Sequence, residues 1–308
     1  MKLTTINNQV ISKQSLIEDC IDEFISTLRR AETTKNVYKR VVRLFFSWCE
    51  GRGYAIDTLT DVHVSEYLTE LEDGGRSVMT TNNYLTILRR FYRYAESRKY
   101  YPNIAQSIEL RKTQQIFKKQ PLKPAQVSQL MESVSSMRDN AMLYLMARTG
   151  LRCIEVVRAD VKDITFIDGK RVLMVQGKGH TEKDDFVVLN NKTYEPLKAY
   201  LESRNASKNE PLFVSESDRN HGGRLTTRSV SRIAKAALVS IGLDNDCYTA
   251  HSLRHTVGTC VLRATGDLEM AQRTLRHSDS KITERYVHTL IQERRLQNSG
   301  EDAIDELF

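Results

Sequence analysis

Apolar positions recur along this chain at two periods. Long stretches repeat every three to four residues, and one central stretch alternates every second residue. From Ser15, the run SLIEDCIDEFISTLRR puts Leu16, Ile17, Cys20, Ile21, Phe24, Ile25 and Leu28 on one stripe, the signature of an amphipathic helix. Ser15, followed three positions later by Glu18, is a capping-box signal at its start. A second stripe begins near Thr33 or Thr34 and runs through VYKRVVRLFFSWCEGRGY to Gly51–Gly53. A third covers DVHVSEYLTELEDGG and stops at Gly74–Gly75. A fourth, TTNNYLTILRRFYRYAESRKYY, runs to Tyr101 and is closed by Pro102. The expectation is a four-helix unit over residues 1–102, with a loose polar start at 1–14.

Residues 103–123 lose this periodicity and carry Arg111, Lys112, Lys118, Lys119 and Lys123. They read as a basic interdomain linker. Pro121 and Pro124 then open a second unit. PAQVSQLMESV is its first expected helix, and RDNAMLYLMARTGLRCIEVVRA supplies one or two more. The period then changes to two. VKDITFI and KRVLMVQ flank Asp168-Gly169, which is a hairpin signal. Gly177-Lys178-Gly179-His180 makes a second turn, and DDFVVL a third strand. Helices resume at KTYEPLKAYLESR and, after the loop HGGRL, at TTRSVSRIAKAALVSIG. The expected fold class is therefore mainly α with a small antiparallel β-sheet. The second domain is expected over 124–298, with a separate tail at 299–308. In that tail, EDAIDELF has Ala303/Leu307 and Ile304/Phe308 each four apart. Such a turn is too short to fold alone; it either docks on another subunit or is a disordered acidic end.

Composition narrows the class. At 308 residues the chain is long enough to bury two cores. Its 40% hydrophobic and 28% charged content is that of a soluble globular protein. The net charge of +7 and a pI near 9.1 favour a polyanionic partner. No run reaches the ~18 apolar residues of a membrane span, and MKLTTINNQVISKQ lacks a signal-peptide core. A cytoplasmic protein without membrane partners is expected. The cysteines Cys20, Cys49, Cys153, Cys247 and Cys260 form no C-x-x-C pair and are odd in number, which fits free thiols in a reducing compartment. Basic residues line two of the helices: Lys35, Lys39, Arg40 and Arg43 on the second, and Arg89, Arg90, Arg93, Arg98 and Lys99 on the fourth, among Tyr92 and Tyr94. With Lys118 and Lys119 of the linker, they are candidates for gripping a DNA backbone. The alternative is an ordinary solvated face.

The chemistry concentrates in YTAHSLRHTVGTCVLRATGDLEMAQRTLRHSDSKITERYVH, residues 248–288. His251 and Arg254 are three apart and share a helix face. His277 follows, then Tyr286 nine positions later. Guanidinium and imidazole groups suit a phosphate oxyanion, and a phenol suits covalent attack on phosphorus. A helical bundle with ordinary surface charge is the alternative. His251 and His255 are spaced like a zinc pair, but H-S-L-R-H lacks the glutamate of H-E-x-x-H, so no metal is expected. Tyr248 is a lesser rival to Tyr286.

In order and separation, TGLRCIE (Thr149–Glu155), GKGH (Gly177–His180), HSLRH (His251–His255) and LRHSDSKITERYVH (Leu275–His288) resemble the tyrosine site-specific recombinase, or phage integrase, family. The likeness is nearest to its compact Xer-like and transposon-resolvase members. It implies a SAM-like four-helix core-binding domain and an α+β catalytic domain. Arg152 and Arg254 would bracket the scissile phosphate, and Lys178 would protonate the leaving 5′ oxygen. His251 and His277 would support the phosphate and assist proton transfer, Tyr286 would be the nucleophile, and Glu155 would orient Arg152. Arg276 departs from the glycine that many members carry before the second histidine. The implied activity is cutting and rejoining of DNA through a 3′-phosphotyrosyl intermediate and a Holliday junction, in integration, excision or resolution of DNA elements. The implied partner is a double-stranded recombination site, bound by a chain that is monomer or dimer when free and homotetramer in the synapse, with the tail passed to a neighbour. No cofactor or metal is implied. Too little chain precedes Ser15 for an arm-type domain, which disfavours the larger lambda-like members. The chemistry is consistent with these roles: a phenol of pKa about 10 attacks well only where cations favour its ionised form. The same cations stabilise charge developing on phosphorus, and a lysine can serve as general acid.

Overall fold

The computed structural model describes residues 13–113, 119–177, 180–276, 286–287, 290–291 and 304–305. Within them the chain divides into two compact units, 1–115 and 116–308. The first unit is built from α1 (Lys13–Thr27), α2 (Glu32–Gly51), α3 (Asp61–Asp73) and α4 (Val78–Ser97). Their stripes close on one core containing Ile21, Phe24, Val41, Phe45, Leu88 and Phe91. Aromatic edges lock it: Phe24 meets Phe91 at 5.5 Å and Phe45 meets Tyr67 at 5.3 Å, both edge-on. Trp48, the chain's one tryptophan, donates its indole N–H to Glu70 at 2.8 Å. Its ring lies 5.3 Å from Tyr67 and under the guanidinium of Arg52 at 5.7 Å.

Two helix ends differ from the sequence expectation. The described part of α1 starts at Lys13, so Ser15 lies within the helix and is not its N-cap. α4 ends at Ser97 and does not continue to Tyr101. Lys99 enters the left-handed region at φ 61°, and the Tyr100 N–H returns to the Ala95 carbonyl at 2.8 Å, a Schellman-type closure. The Tyr101 hydroxyl then reaches the Leu59 carbonyl at 2.8 Å. The residues that follow pack back on this unit. Ala105 is fully buried, with Ile104 and Ile108 against the core. Arg89 donates to the Ala105 carbonyl at 3.1 Å and to that of Ile108. Asn82 and the Arg111 backbone exchange two hydrogen bonds, at 2.8 and 3.1 Å. These are side chain-to-backbone ties, to which hydrophobic periodicity is blind.

The second unit contains α5 (Pro124–Ser133), α6 (Met137–Thr149), α7 (Cys153–Arg158), β1 (Ile164–Ile167), β2 (Lys170–Val175), β3 (Asp185–Val188), α8 (Asn191–Ser203), α9 (Thr227–Ser240), α10 (Ala250–Thr265) and α11 (Leu268–Leu275). The strands form one antiparallel sheet in the order β1-β2-β3. At the β1–β2 turn, Asp168 and Gly169 take φ 46° and 76°, as a two-residue hairpin of primed type requires. α6 is apolar nearly all round: Ala141, Met142, Leu143, Leu145 and Met146 are all buried. A helix of that kind belongs at the centre of a core, and α6 packs between α8 and α10. The loop ahead of α10 is pinned by Lys235, whose ammonium donates to the carbonyls of Asp244 and Asn245 at 2.8 and 2.9 Å. Beside the sheet, Lys183 pairs with Asp160 at 2.8 Å and with Asp163, and Arg224 pairs with Asp160.

Residues 119–122 are tied to this second unit. The Gln120 N–H donates to the Cys247 carbonyl at 3.1 Å, and the Leu122 N–H to Thr256 Oγ1 at 2.8 Å. Leu122 is buried in the core. Among the described residues, no helix is long and apolar enough to cross a membrane.

Candidate active site

Three turns of chain from distant parts of the sequence meet at Glu155. The first is the end of α6. Gly150 stops that helix in the left-handed region at φ 67°, and a Cβ there would stand 2.6 Å from Leu275 Cδ2. Only glycine meets both demands. The turn it makes places Arg152 at the N-cap of α7, where the Arg152 N–H donates to Glu155 Oε2 at 2.8 Å. The Arg152 side chain, 27% exposed, gives Nη1 to Glu155 Oε1 at 2.7 Å.

The second turn is α10, where Arg254 is 1% exposed. Its Nη1 donates to the Gly150 carbonyl at 2.5 Å and its Nη2 to the Leu275 carbonyl. Nη1 lies 4.0 Å from Glu155 Oε2. The third turn is the end of α11, where Arg276 donates Nη2 to Glu155 Oε2 at 2.8 Å. The site therefore gathers three guanidiniums about one buried carboxylate. Burial by itself would raise the Glu155 carboxyl, but the charge of Arg276, then the bonds and charge of Arg152, outweigh it and hold it below the ordinary carboxylate value. Burial, and next the charge of Arg152, pull the Arg254 guanidinium down to about 9. It therefore keeps its proton at neutral pH.

Tyr286 joins this cluster through α10. Its ring is 2% exposed and packs with Val257, Leu262, Ala271 and Leu275. The approach depends on Gly258, where a Cβ would stand 2.8 Å from Cε2 and Cζ of Tyr286. His255 fills the space beside it, its ring 5.4 Å from that of Tyr286 and 4.6 Å from that of His251, edge-on to both. The Tyr286 phenol is near enough that, once ionised, its charge would favour the protonated form of Arg254.

The structure thus gathers Arg152, Arg254, Glu155 and Tyr286, with His251 one turn of α10 from His255. Lys178, His277 and Lys118 lie outside the described residues, as does the tail apart from Ile304 and Asp305. Next to Lys178, the Gly177 carbonyl accepts from Arg158 at 3.0 Å, and His180 pairs with Asp184 at 2.6 Å. Tyr248 turns its hydroxyl to Gln120 at 3.1 Å. Gly258 was not singled out from the sequence, although a glycine inside a strong helical pattern is a signal of close approach. Among the described residues, no three His, Cys, Asp or Glu side chains are grouped as for a metal.

The expected DNA-facing residues divide. Arg40, Arg90 and Arg93 are exposed on α2 and α4, with Arg90 over the Tyr38 ring at 5.9 Å. Lys39 pairs with Asp22, Arg43 with Glu18 at 2.6 Å and Lys35 with Glu32 at 2.8 Å. Arg89 turns inward to the carbonyls described above, and Lys119 donates to the Asp246 carbonyl.

Comparison with known proteins places this geometry. Residues 120–293 match the model of the phage integrase family, and residues 21–99 match that of the phage integrase N-terminal SAM-like domain. The tyrosine recombinase XerD of Staphylococcus epidermidis is 27% identical over 285 residues, 87% of this chain and 93% of the relative. The tyrosine recombinase XerD of Vibrio cholerae is 25% identical over 281 residues, 89% and 92% of the two chains. Among solved structures, the XerH site-specific recombinase bound to its palindromic difH substrate superposes with a TM-score of 0.71 at 22% identity, over 96% of this chain and 86% of that one. A lambda integrase dimer bound to a COC′ core site gives 0.68 at 17%, over 87% and 94%. At these identities the structural likeness speaks for the fold.

Proposed function

This chain belongs to the phage integrase family, the tyrosine-type DNA strand transferases, and from that premise we propose that Tyr286 is the nucleophile of a site-specific recombination reaction. Its phenol passes its proton to a histidine of the site as its oxygen attacks the scissile phosphorus. A bond forms from Tyr286 Oη to phosphorus, the bond to the 5′ oxygen breaks, and the 3′ end remains as a phosphotyrosine. Arg152 and Arg254 hold the non-bridging oxygens and stabilise their developing charge. Lys178 gives the leaving 5′ oxygen its proton, and His251 and His277 support the phosphate. Attack by a 5′ hydroxyl of the partner strand reverses the steps, so rejoining needs no external energy source. The observation that carries this reading is the meeting of Arg152, Arg254 and Tyr286 around the Gly150–Leu275 contact, from three segments far apart in sequence.

The first unit would grip the duplex through Arg40, Arg90 and Arg93, with the basic residues of 103–123 following the backbone between domains. Relatives solved on DNA sites, including the Tn1549 transposon integrase in complex with circular intermediate DNA, support a double-stranded recombination site as substrate. Two subunits bind each site and four form the synapse in the cytoplasm, with residues 299–308 passed to a neighbour. The test begins with DNA crosslinked to the chain, recovered and sequenced. A nicked duplex of that sequence, incubated with protein and run on a denaturing gel, is expected to give a covalent adduct that Tyr286→Phe abolishes. An adduct that survives in Tyr286→Phe would assign the nucleophile elsewhere.

A further inference from the structure

Arg276 stands outside the roles that the family resemblance assigns. It closes α11 in the left-handed region, at φ 53°, where glycine sits at no cost and a side chain does not. Its side chain is nonetheless only 7% exposed and donates to Glu155 Oε2. That oxygen also accepts the Arg152 backbone N–H. Arginine pairs most strongly with a carboxylate through two parallel bonds, one to each oxygen. Here the second oxygen is already occupied, so Arg152 makes a single side-chain bond, from Nη1 to Oε1.

We propose that Arg276 is a positioning residue for strand cleavage. By occupying Glu155 Oε2, it keeps Arg152 from closing a two-pronged pair on that carboxylate and leaves the other Arg152 donors for the scissile phosphate. This rests on Arg152 being a phosphate ligand, as read above. Charge points the same way. Three guanidiniums face Glu155, and Asp185 Oδ2 lies 3.9 Å from Arg276 Nε, so these groups together carry an excess of one positive charge. The Nε groups of Arg254 and Arg276 are buried and make no hydrogen bond among the described residues. A site so built awaits an anion. Without Arg276, one positive charge is lost and Glu155 draws Arg152 inward.

The test uses the full chain and the nicked duplex described above. Single-turnover cleavage at saturating protein, DNA affinity and thermal midpoint are measured for Arg276→Gly, Arg276→Lys, Glu155→Gln and the Arg276→Gly/Glu155→Gln pair. Arg276→Gly relaxes the backbone, so a folded protein is expected. Its saturated rate is expected to fall about tenfold or more, the scale of one hydrogen bond to a charged group, with affinity nearly unchanged. Arg276→Lys keeps the charge and recovers part of the rate. It also carries the test should the glycine variant not fold. In the Glu155→Gln background, Arg276→Gly should have little further effect. A role in closing the helix alone would move the midpoint and leave the saturated rate and the coupling to Glu155 untouched. Cleavage by Arg276→Gly at the wild-type rate, or additive losses in the pair, overturns the proposal. A wild-type chain that forms no Tyr286 adduct overturns the reading beneath it, and the proposal falls with it.

Discussion

Arg152 and Arg254 would face the same phosphate, yet their surroundings make them unequal. Arg254 is the donor for two buried carbonyls, those of Gly150 and Leu275. Truncating it orphans both, at a cost of about 3 kcal/mol. Arg152 is partly exposed and rests on Glu155. Arg152→Ala is therefore expected to lower cleavage about a hundredfold or more with little change in thermal midpoint, whereas Arg254→Ala loses both. Thermal melts beside cleavage assays check this, and equal midpoints in the two variants would contradict it. Gly258 gives a second contrast. Alanine in a helix gains about 1 kcal/mol over glycine, but the added Cβ would meet Leu275 and Tyr286 at under 3 Å, a clash of about 1 to 3 kcal/mol. The two nearly cancel in stability. The displaced ring does not cancel in cleavage, where Gly258→Ala is expected to lose at least about tenfold. The arginines and the tyrosine stood out in the sequence by their order and spacing, not by their type. The role of Glu155 as a shared acceptor was not legible there, because it depends on partners that only folding brings near, and Gly258 carried only the general signal of a glycine within a helical pattern, with nothing to say what it approaches.

At the scale of elements, the stripes and the Asp168-Gly169 hairpin were readable from period alone. Helix ends were less so. α4 stops early at Ser97, and the chain turns at Lys99, a residue with no sequence preference for the left-handed region, held there by the contacts of Tyr100 and Tyr101. The polar ties that join elements are equally silent in a sequence. Two of them respond to pH. Glu155 ties α7 to α10 and α11, and Asp160 ties Lys183 to Arg224. Burial would raise the Asp160 carboxyl, but hydrogen bonds from Lys183 and Arg224 prevail and hold it below the ordinary value, as at Glu155. The native state then binds these protons less readily than the unfolded chain. The stabilisation is complete above the ordinary carboxylate range of about 4 and is lost as pH falls through the lower folded values. Melting temperature is expected to drop steeply with acid below about pH 4, and Glu155→Gln to flatten that drop. An unchanged slope in Glu155→Gln would remove this carboxylate from the acid response.

For the whole molecule, composition and charge pointed to two cores and a polyanionic partner. What they could not show is how residues 103–123 are divided, since neither Asn82 nor Thr256 advertises that it will hold a passing backbone. Each unit has its own core, its own aromatic or aliphatic character, and its own end of that segment. The aromatic character has a practical consequence. Trp48 is the chain's single indole, and it sits within the first unit among Phe45, Tyr54 and Tyr67. Indole emission excited at the red edge therefore reports on residues 1–115 alone, while far-ultraviolet circular dichroism reads helices of both units. In urea the two signals should trace separate curves, so that the catalytic unit is silent to fluorescence until a tryptophan is placed in it.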